Sequence, residues 1–327
     1  MSKARQLAQK PSQPTGRKNL IINGAMQVAQ RGTSFSASGT IYTLDRWEVF
    51  TGNSNCITTQ EEFTVGQTDV PHNSTHYINI AKNGETEASQ IRQKVEDVRI
   101  LSGETVTLSF WANTSSTLEL DVFQNFGSGG SAQVQDLDGG AFTVVETNNS
   151  WSKYVITHTL GSVAGKTIND GSYILFRIVE QASTTNDVAA TQVQLEVGST
   201  ATEFEHRSYG EELALCQRYY YQISGNTDDD TGLCAGFVSG TTKVYGYLTL
   251  PVSMRAANQS VTVSGGQILA NGGTAYNFSL DVAFDENINV VGLIVDKTSG
   301  GNLVDGEAAL LRLDNLATGK LTVNSEL

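Results

Sequence analysis

Residues 104–115 have the sequence ETVTLSFWANTS, in which apolar and polar side chains alternate. Val106, Leu108 and Phe110 fall on one face of an extended chain, and Trp111 falls on the opposite face. A period of two predicts a β-strand with one buried face. We expect Phe110 to face the core and Trp111 to face outward.

Runs of the same kind recur on both sides of this stretch. HYINIAKNG at 76–84 predicts a strand that ends in an Asn83-Gly84 turn, which favours a hairpin. EASQIRQKVEDVRIL at 87–101 fits either a charged helix or two strands broken near Glu96-Asp97, and the sequence leaves both open. Eight or more short strands between residues 19 and 207 predict a jelly-roll β-sandwich. The other strand-like runs are LELDVFQNF (118–126), SWSKYVITHTL (150–160), GSYILFRIVEQ (171–181) and ATQVQLEVGS (190–199).

One segment departs from the β pattern. In SYGEELALCQRYYYQI, Leu213, Cys216 and Tyr220 form a helical stripe, and Ser208 with Glu211 has the spacing of a capping box. We predict a linker helix at 208–222 between the jelly-roll domain at 19–207 and a second domain at 223–327. Seven short strand-like runs in this second domain predict a second, smaller β-sandwich, so the chain is expected to be all-β.

Composition narrows the class of protein. A chain of 327 residues is long for one core, and 32 glycines with few charged residues are typical of β-domains with many turns. The net charge of −13 argues against nucleic-acid binding. The longest apolar stretches are too short to span a membrane, and the first residues lack the apolar core of a secretory signal. Three scattered cysteines do not make a disulfide framework, which suggests synthesis in a reducing cytoplasm.

The first 18 residues form a basic segment ahead of an acidic body. A segment of this kind could bind an anionic surface, but without stacking aromatics it is a poor reader of nucleic acid. We interpret residues 1–18 as an arm that docks on a partner or on the protein's own acidic body, and we predict that it anchors the protein to a larger particle. Its basic residues are Lys3, Arg5, Lys10, Arg17 and Lys18.

No catalytic or metal-binding motif is complete. His72 and His76 have the i, i+4 spacing of zinc ligands on a helix, but their segment favours strand and turn, where they lie roughly 13 Å apart. Asp228, Asp229 and Asp230 lack EF-hand spacing, so we interpret them as a solvated turn. We therefore expect no enzyme activity and no cofactor, with calcium considered only as a structural ion.

Two features are candidates for ligand contact. Trp111, on the outward face of its strand, is the aromatic side chain we expect to stack on a sugar. The loop FGSGGS at 126–131 lacks the lysine of a P-loop; it is either a flexible surface loop or a groove in which backbone amides meet a ligand such as a sugar. Its candidate residues are Gly127, Ser128, Gly129, Gly130 and Ser131.

Taken together, several segments resemble a known family, the bacteriophage tail-fibre and receptor-binding proteins that carry a carbohydrate-binding-like jelly roll. The opening MSKARQLA is similar to the start of marine phage tail fibres, and the closing LTVNSEL fits the final strand of such proteins. The segments that carry the resemblance are NLIINGAMQVAQRGTSF (19–35), YTLDRW (42–47), TLSFWA (107–112), FGSGGS (126–131), VQLEVGSTATEFEHRSYGEELALCQRYYY (193–221) and LPVSMRAA (250–257).

The resemblance implies a component of the virion tail, made in the host cytoplasm, that attaches to a host-surface glycan. It also implies other virion or tail proteins as partners and a homotrimeric assembly, and it assigns no catalytic residue. Many relatives have a long shaft before the jelly roll, whereas here the sandwich begins near residue 19, which favours a short protrusion over a long fibre. A purely structural adaptor or decoration protein is the alternative, and a polysaccharide depolymerase is a third hypothesis.

Overall fold

A computed structural model of the chain contains two compact units, formed by the described residues up to Glu212 with Leu327 and by those between Leu213 and Glu326. All strand pairs among the described residues of both units are antiparallel. The structure describes residues 17–72, 74–181, 185–226, 229–256, 259–270, 272–298, 300–314 and 318–327.

One sheet of the first unit has seven strands in the order β1-β4-β5-β13-β7-β11-β10. The non-consecutive order means that neighbours in the sheet are often distant in the chain. The strands are β1 (Ser34–Ser36), β4 (Ile57–Glu62), β5 (His76–Ala81), β7 (Thr105–Asn113), β10 (Thr143–Asn148), β11 (Trp151–Thr159) and β13 (Val188–Val197).

The other sheet of this unit has six strands in the order β2-β3-β6-β12-β8-β9. Side chains from the inner faces of the two sheets form one core, in which Phe110 of β7 and Phe176 of β12 are both buried. The all-β class and the sandwich are therefore confirmed. The strands are β2 (Gly39–Tyr42), β3 (Glu48–Thr51), β6 (Ser89–Glu96), β8 (Leu118–Asn125), β9 (Val134–Ala141) and β12 (Tyr173–Glu180).

The structure decides two local questions that the sequence left open or answered differently. The segment around Ile91 is strand β6, which ends at Glu96, and the next residue, Asp97, turns the chain with a φ of 65°. The Asn83-Gly84 turn is present, with φ values of 52° and 87°. However, the hairpin prediction is wrong, because β5 and β6 belong to different sheets.

Helix α1 (Tyr209–Gln217) is the only α-helix among the described residues. Its start agrees with the predicted cap, since the Ser208 hydroxyl accepts a hydrogen bond from the Glu211 amide at 3.3 Å. The helix ends five residues before the predicted position. From Tyr220 onward the predicted helical residues instead belong to strand β14 (Tyr220–Ser224), which pairs with a strand near the C-terminus.

The second unit is all-β, but its strands form a closed six-stranded barrel and a three-stranded sheet in place of the expected second sandwich. A barrel and a sandwich need the same alternation, and the barrel is closed by the pairing of β18 and β15 with β21. The barrel strands are β15 (Thr231–Ser239), β16 (Lys243–Thr249), β20 (Val290–Lys297), β19 (Thr274–Asn287), β18 (Gly266–Ala270) and β21 (Ala308–Leu313); the sheet is β14, β22 (Lys320–Asn324) and β17 (Ser260–Ser264).

The core of the second unit joins the barrel to the small sheet. Leu293 and Leu311 from the barrel belong to the same buried cluster as Leu321 and Val323 from β22. Within the described part of the chain, no helix is both long and apolar enough to cross a membrane.

Candidate functional site

The outer face of the seven-stranded sheet carries a polar groove of about 1000 Å³. Its floor follows from strand alternation: Ile78 and Ile80 of β5 point into the core, so Tyr77 and Asn79, which alternate with them, point outward. Asn113 at the end of β7 lies on the same outer face. The floor is thus built from β5 and β7, which flank β13 in the sheet but are distant in the sequence.

Three aromatic rings pack together at one side of this floor. The ring centroids of Phe63 and Tyr77 are 4.7 Å apart, and those of Phe63 and Trp151 are 5.2 Å apart. Tyr77 meets Trp151 edge to face at 5.4 Å. Such pairs are favourable, so Phe63 and Tyr77, which are partly exposed, give the groove a firm apolar side, and the buried Trp151 supports them.

The segment 63–69 forms a wall of the groove and is held by several hydrogen bonds. The Gln67 side-chain amide donates to the Val70 carbonyl at 2.8 Å and accepts a hydrogen bond from the Val70 backbone amide at 2.9 Å. Asn148 donates to the carbonyl of Thr68, and Asn149 donates to the carboxylate of Asp69. These bonds tie the wall to the β10–β11 turn, so the groove is preformed.

The groove is rich in groups that can exchange hydrogen bonds with hydroxyls. The side-chain amide of Asn79 has no hydrogen-bond partner among the described residues, and the Asn113 amide donates to the Ser150 hydroxyl at 3.1 Å. The remaining polar lining consists of amides and hydroxyls: Gln67, Asn186, Thr64, Thr68, Thr114, Ser115 and Thr185.

Four carboxylates, from Glu61, Glu62, Asp69 and Asp187, also line the groove, and none of its described lining residues is a lysine or an arginine. Burial, reinforced by the neighbouring Glu61 charge, raises the pKa of Tyr77, so its hydroxyl stays protonated at neutral pH. The groove is therefore negatively charged, and an anionic ligand would be repelled.

Trp111 lies beneath this region and is only 2% exposed. The predicted alternation is confirmed, because Phe110 packs in the main core and Trp111 on the opposite face. However, Val70 and Trp151 cover the Trp111 ring, so it cannot stack on a sugar as predicted. Alternation identified the correct face, but it contains no information about the loop that covers it.

The glycine-rich loop packs on residues 167–170 of its own unit. The Ser131 amide donates to the Thr167 carbonyl at 2.9 Å, and the Asn169 side chain donates to the Ser128 carbonyl at 2.9 Å. The Gly127 and Gly130 amides donate to Asn125 and Gly127. These amides are therefore engaged within the protein, and the loop is structural where the sequence allowed a ligand groove. Gly129, whose φ is +73°, serves the loop's left-handed turn.

The end of the basic arm contacts the protein's own acidic residues. Arg17 forms an ion pair with Glu211 at 3.2 Å, and the Lys18 ammonium donates to Thr202 and to the Glu203 carbonyl. Burial alone would raise the pKa of Glu205. Hydrogen bonds from the Asn19 and Lys18 backbone amides, together with the charge of Arg207, outweigh burial and lower this pKa. Lys3, Arg5 and Lys10 lie outside the described residues.

The described histidine and aspartate candidates do not come together as a metal site. His76 lies beside Glu62 at 3.7 Å, whereas His72 packs against His206 with ring centroids 5.7 Å apart. Asp230 pairs with Arg312, and Asp228 is outside the described residues. Within the ranges that the structure describes, no three His, Cys, Asp or Glu side chains are grouped so that they could hold a metal.

Sequence reasoning missed the groove residues Tyr77, Asn79 and Asn113. Tyr77 and Asn79 alternate with two isoleucines, which is a signal for an outward-facing row. Nothing local in the sequence indicates that this row meets Asn113 and Trp151. That meeting depends on the order of strands in the sheet.

The fold and the groove define an all-β protein with a jelly-roll sandwich whose outer face holds a polar, aromatic-sided cleft. No protein-family model and no curated protein matches the chain. Among solved structures, it is similar to an enzymatically active domain of tailspike protein 4 of bacteriophage CBA120, with 12% identity, a TM-score of 0.32, and coverage of 55% of this chain and 21% of that chain.

Two further solved structures have similarly low sequence identity and TM-scores. The CBM22-1 xylan-binding domain of Paenibacillus barcinonensis Xyn10C has 13% identity and a TM-score of 0.33, covering 56% of this chain and 96% of its own. A cyclase from Fischerella sp. TAU has 9% identity and a TM-score of 0.39, covering 57% and 100%. At these scores, the functions of those proteins are not transferred to this chain.

Proposed function

We propose that the protein binds an uncharged glycan in the groove on the seven-stranded sheet, and that this binding attaches a phage virion to its host. The observation that carries the proposal is the combination of a rigid aromatic side with a floor of amides and hydroxyls. Sugars present both an apolar ring face and a periphery of hydroxyls, so a site of this kind suits them.

The charge of the groove supports the class of glycan. Four carboxylates without a lysine or arginine in the described lining disfavour uronic acids, sialic acids and phosphorylated sugars. A neutral saccharide leaves these carboxylates as hydrogen-bond acceptors for its hydroxyls.

Binding to a panel of neutral and acidic glycans, followed by calorimetric titration of the best ligand, tests the proposal. Asn79→Ala and Asn113→Ala should each weaken binding roughly 3- to 10-fold, since each removes one net hydrogen bond. Asn277→Ala is the matched control, because Asn277 is exposed on β19 in the other unit. Retention of full affinity by both groove variants would refute the site.

The role of the arm is part of the same proposal. We infer that residues 1–18 anchor the protein to the particle, with Lys3, Arg5 and Lys10 meeting other virion or tail proteins. Deletion of residues 1–16 should leave the melting temperature nearly unchanged and abolish incorporation into particles. Normal incorporation would contradict the anchoring role, and full burial of the groove in the particle would favour the structural adaptor instead.

We also infer that the protein assembles as a homotrimer and binds glycan without cleaving it. Phe237 and Tyr247 on the outer face of the barrel are 52% and 56% exposed, and Phe237 stacks on Tyr245 at 5.3 Å. Exposed aromatic clusters of this kind are typical of association surfaces, and several linked copies strengthen weak glycan binding.

Light scattering and an activity assay test these two inferences. The wild-type mass should be that of three chains, and Phe237→Ser with Tyr247→Ser should shift it to one chain. A wild-type monomer at micromolar concentration would exclude self-assembly. Release of reducing ends from a bound polysaccharide would show that the protein cleaves glycan, and it would overturn the inference of binding without cleavage in favour of a depolymerase.

A further inference from the structure

The outer face of the six-stranded sheet carries two arginines directly opposite each other. Arg92 on β6 and Arg177 on β12 are register partners, and their strand neighbours Ile91 and Ile178 point into the core. Both guanidinium groups therefore lie on the face away from the core. Side chains at directly opposed positions have Cβ atoms about 5 Å apart.

Two like charges in this position are unfavourable. Opposed like charges destabilise a strand pair, and partial burial strengthens the effect because less water screens it. The side chain of Arg177 is 21% exposed. Burial, followed by the charge of Arg177, lowers the pKa of Arg92.

The carboxylates on this face neutralise the pair only in part. Asp121 accepts a hydrogen bond from Arg177 at 2.7 Å, whereas Glu48 is engaged by Lys94 at 2.8 Å. Among the described residues, Arg92 donates only to neutral groups, the Gln90 side-chain oxygen at 2.8 Å and the Thr40 hydroxyl at 2.9 Å.

One nitrogen of the pair also lacks a partner. The Nε of Arg177 is buried and has no hydrogen-bond partner among the described residues. The pair thus has one more positive charge than its bonded carboxylates supply, together with an unused donor.

A phenyl ring stands at each end of the arginine pair. The Arg92 guanidinium lies 5.2 Å from the centroid of Phe50, and that of Arg177 lies 4.2 Å from the centroid of Phe123. These contacts hold the guanidinium groups in place. Both rings are partly exposed and offer apolar surface next to the charges.

We propose that Arg92 and Arg177 bind the carboxylate of an acidic saccharide on the outer face of the six-stranded sheet. A guanidinium group binds a carboxylate through paired N–H donors, and a carboxylate between the two would remove their repulsion. The Thr40 hydroxyl and Gln90 amide suit sugar hydroxyls, and the phenyl rings suit the apolar face of a pyranose. This site is distinct from the groove, which repels acidic ligands, and it does not depend on the function proposed for the groove.

Calorimetric titration with trigalacturonate, and with its fully methyl-esterified neutral form as the matched ligand, tests the proposal. The wild type should bind the acid and not the ester, and added salt should weaken binding. Arg92→Gln should weaken binding at least about tenfold, since it removes a charge-assisted hydrogen bond. Arg99→Gln, which removes an exposed arginine paired with Asp97 on a turn, should bind like the wild type.

The variants are chosen so that misfolding does not obscure the result. Arg92→Gln leaves no carboxylate without its bonded partner, and near-ultraviolet circular dichroism checks its fold. Arg177→Gln gives an independent second variant. The proposal is overturned if the wild type does not bind trigalacturonate, if it binds the ester equally well, or if the folded Arg92→Gln variant binds with unchanged affinity. Binding of a hexaglutamate peptide without binding of the sugar would likewise overturn it in favour of a protein partner.

Discussion

Lys82 and Glu180 form an ion pair inside the first unit, and its removal should strongly destabilise that unit. The Lys82 ammonium lies 2.7 Å from the Glu180 carboxylate, and the two side chains are 0% and 1% exposed. Lys82 also donates to the carbonyl of Glu87, and Ser89 donates to Glu180 at 3.2 Å. The Lys82 amide donates to Asp187 at 2.9 Å, which links the pair to the rim of the groove.

Lys82→Met keeps much of the side-chain volume but leaves Glu180 buried without its cation. Breaking a buried pair in this way costs about 3–5 kcal/mol, because the remaining charge has lost both water and counterion. A domain of ordinary stability has about 5–15 kcal/mol in total, so the loss is a large part of it. The double variant Lys82→Met/Glu180→Leu should regain most of the loss, since it removes both charges.

Urea unfolding followed by tryptophan fluorescence measures this loss. All three tryptophans, Trp47, Trp111 and Trp151, belong to the first unit, so the signal reports that unit alone. With an m-value of about 2–3 kcal/mol per molar urea, the midpoint should fall by about 1–2 M. Arg99→Gln, which removes an exposed ion pair, should change stability by less than about 1 kcal/mol.

Two results would refute the reasoning. If Lys82→Met costs no more than Arg99→Gln, the buried pair contributes no more than a surface pair. If the double variant loses the sum of the losses of Lys82→Met and Glu180→Leu, the two groups do not act as a pair.

Three further predictions follow from single sites. Burial, with the facing His72, lowers the pKa of His206. Below about pH 6.5 the unfolded chain therefore takes up a proton that the folded chain resists, and the unfolding free energy should fall from pH 7.5 to 5.5. The variant His206→Asn should reduce this fall. An equal fall in the variant would contradict it. Gly130→Ala would place a Cβ 2.1 Å from the Phe126 carbonyl oxygen, whereas Gly129→Ala meets only backbone strain of about 1–2 kcal/mol. Calorimetry should therefore give the lower melting temperature for Gly130→Ala. Equal melting temperatures would speak against the packed loop. Burial raises the pKa of the Cys234 thiol to about 11, and it also raises the pKa of the Cys56 thiol. Neither thiol should therefore react with Ellman's reagent at pH 8 until urea unfolds the protein. Rapid labelling of the folded protein would count against this.

Local physics in the sequence determined the elements and their faces. The alternation at Val106, Leu108 and Phe110 identified both a strand and its buried side, because successive side chains of a strand point to opposite faces whatever the partner. Ser208 marked the start of α1 because a cap acts over three residues. The Asn83-Gly84 turn is likewise local, since both residues tolerate positive φ.

Pairing between distant strands decided the rest. The same alternation suits a sandwich and a barrel, and only the pairing of β21 with both β15 and β18 closes the barrel. Trp111 faces outward as its strand requires, yet its burial depends on the distant residues Val70 and Trp151. The groove and the Arg92–Arg177 pair exist only because strand order and register bring their residues together, and neither order nor register is encoded in any single segment.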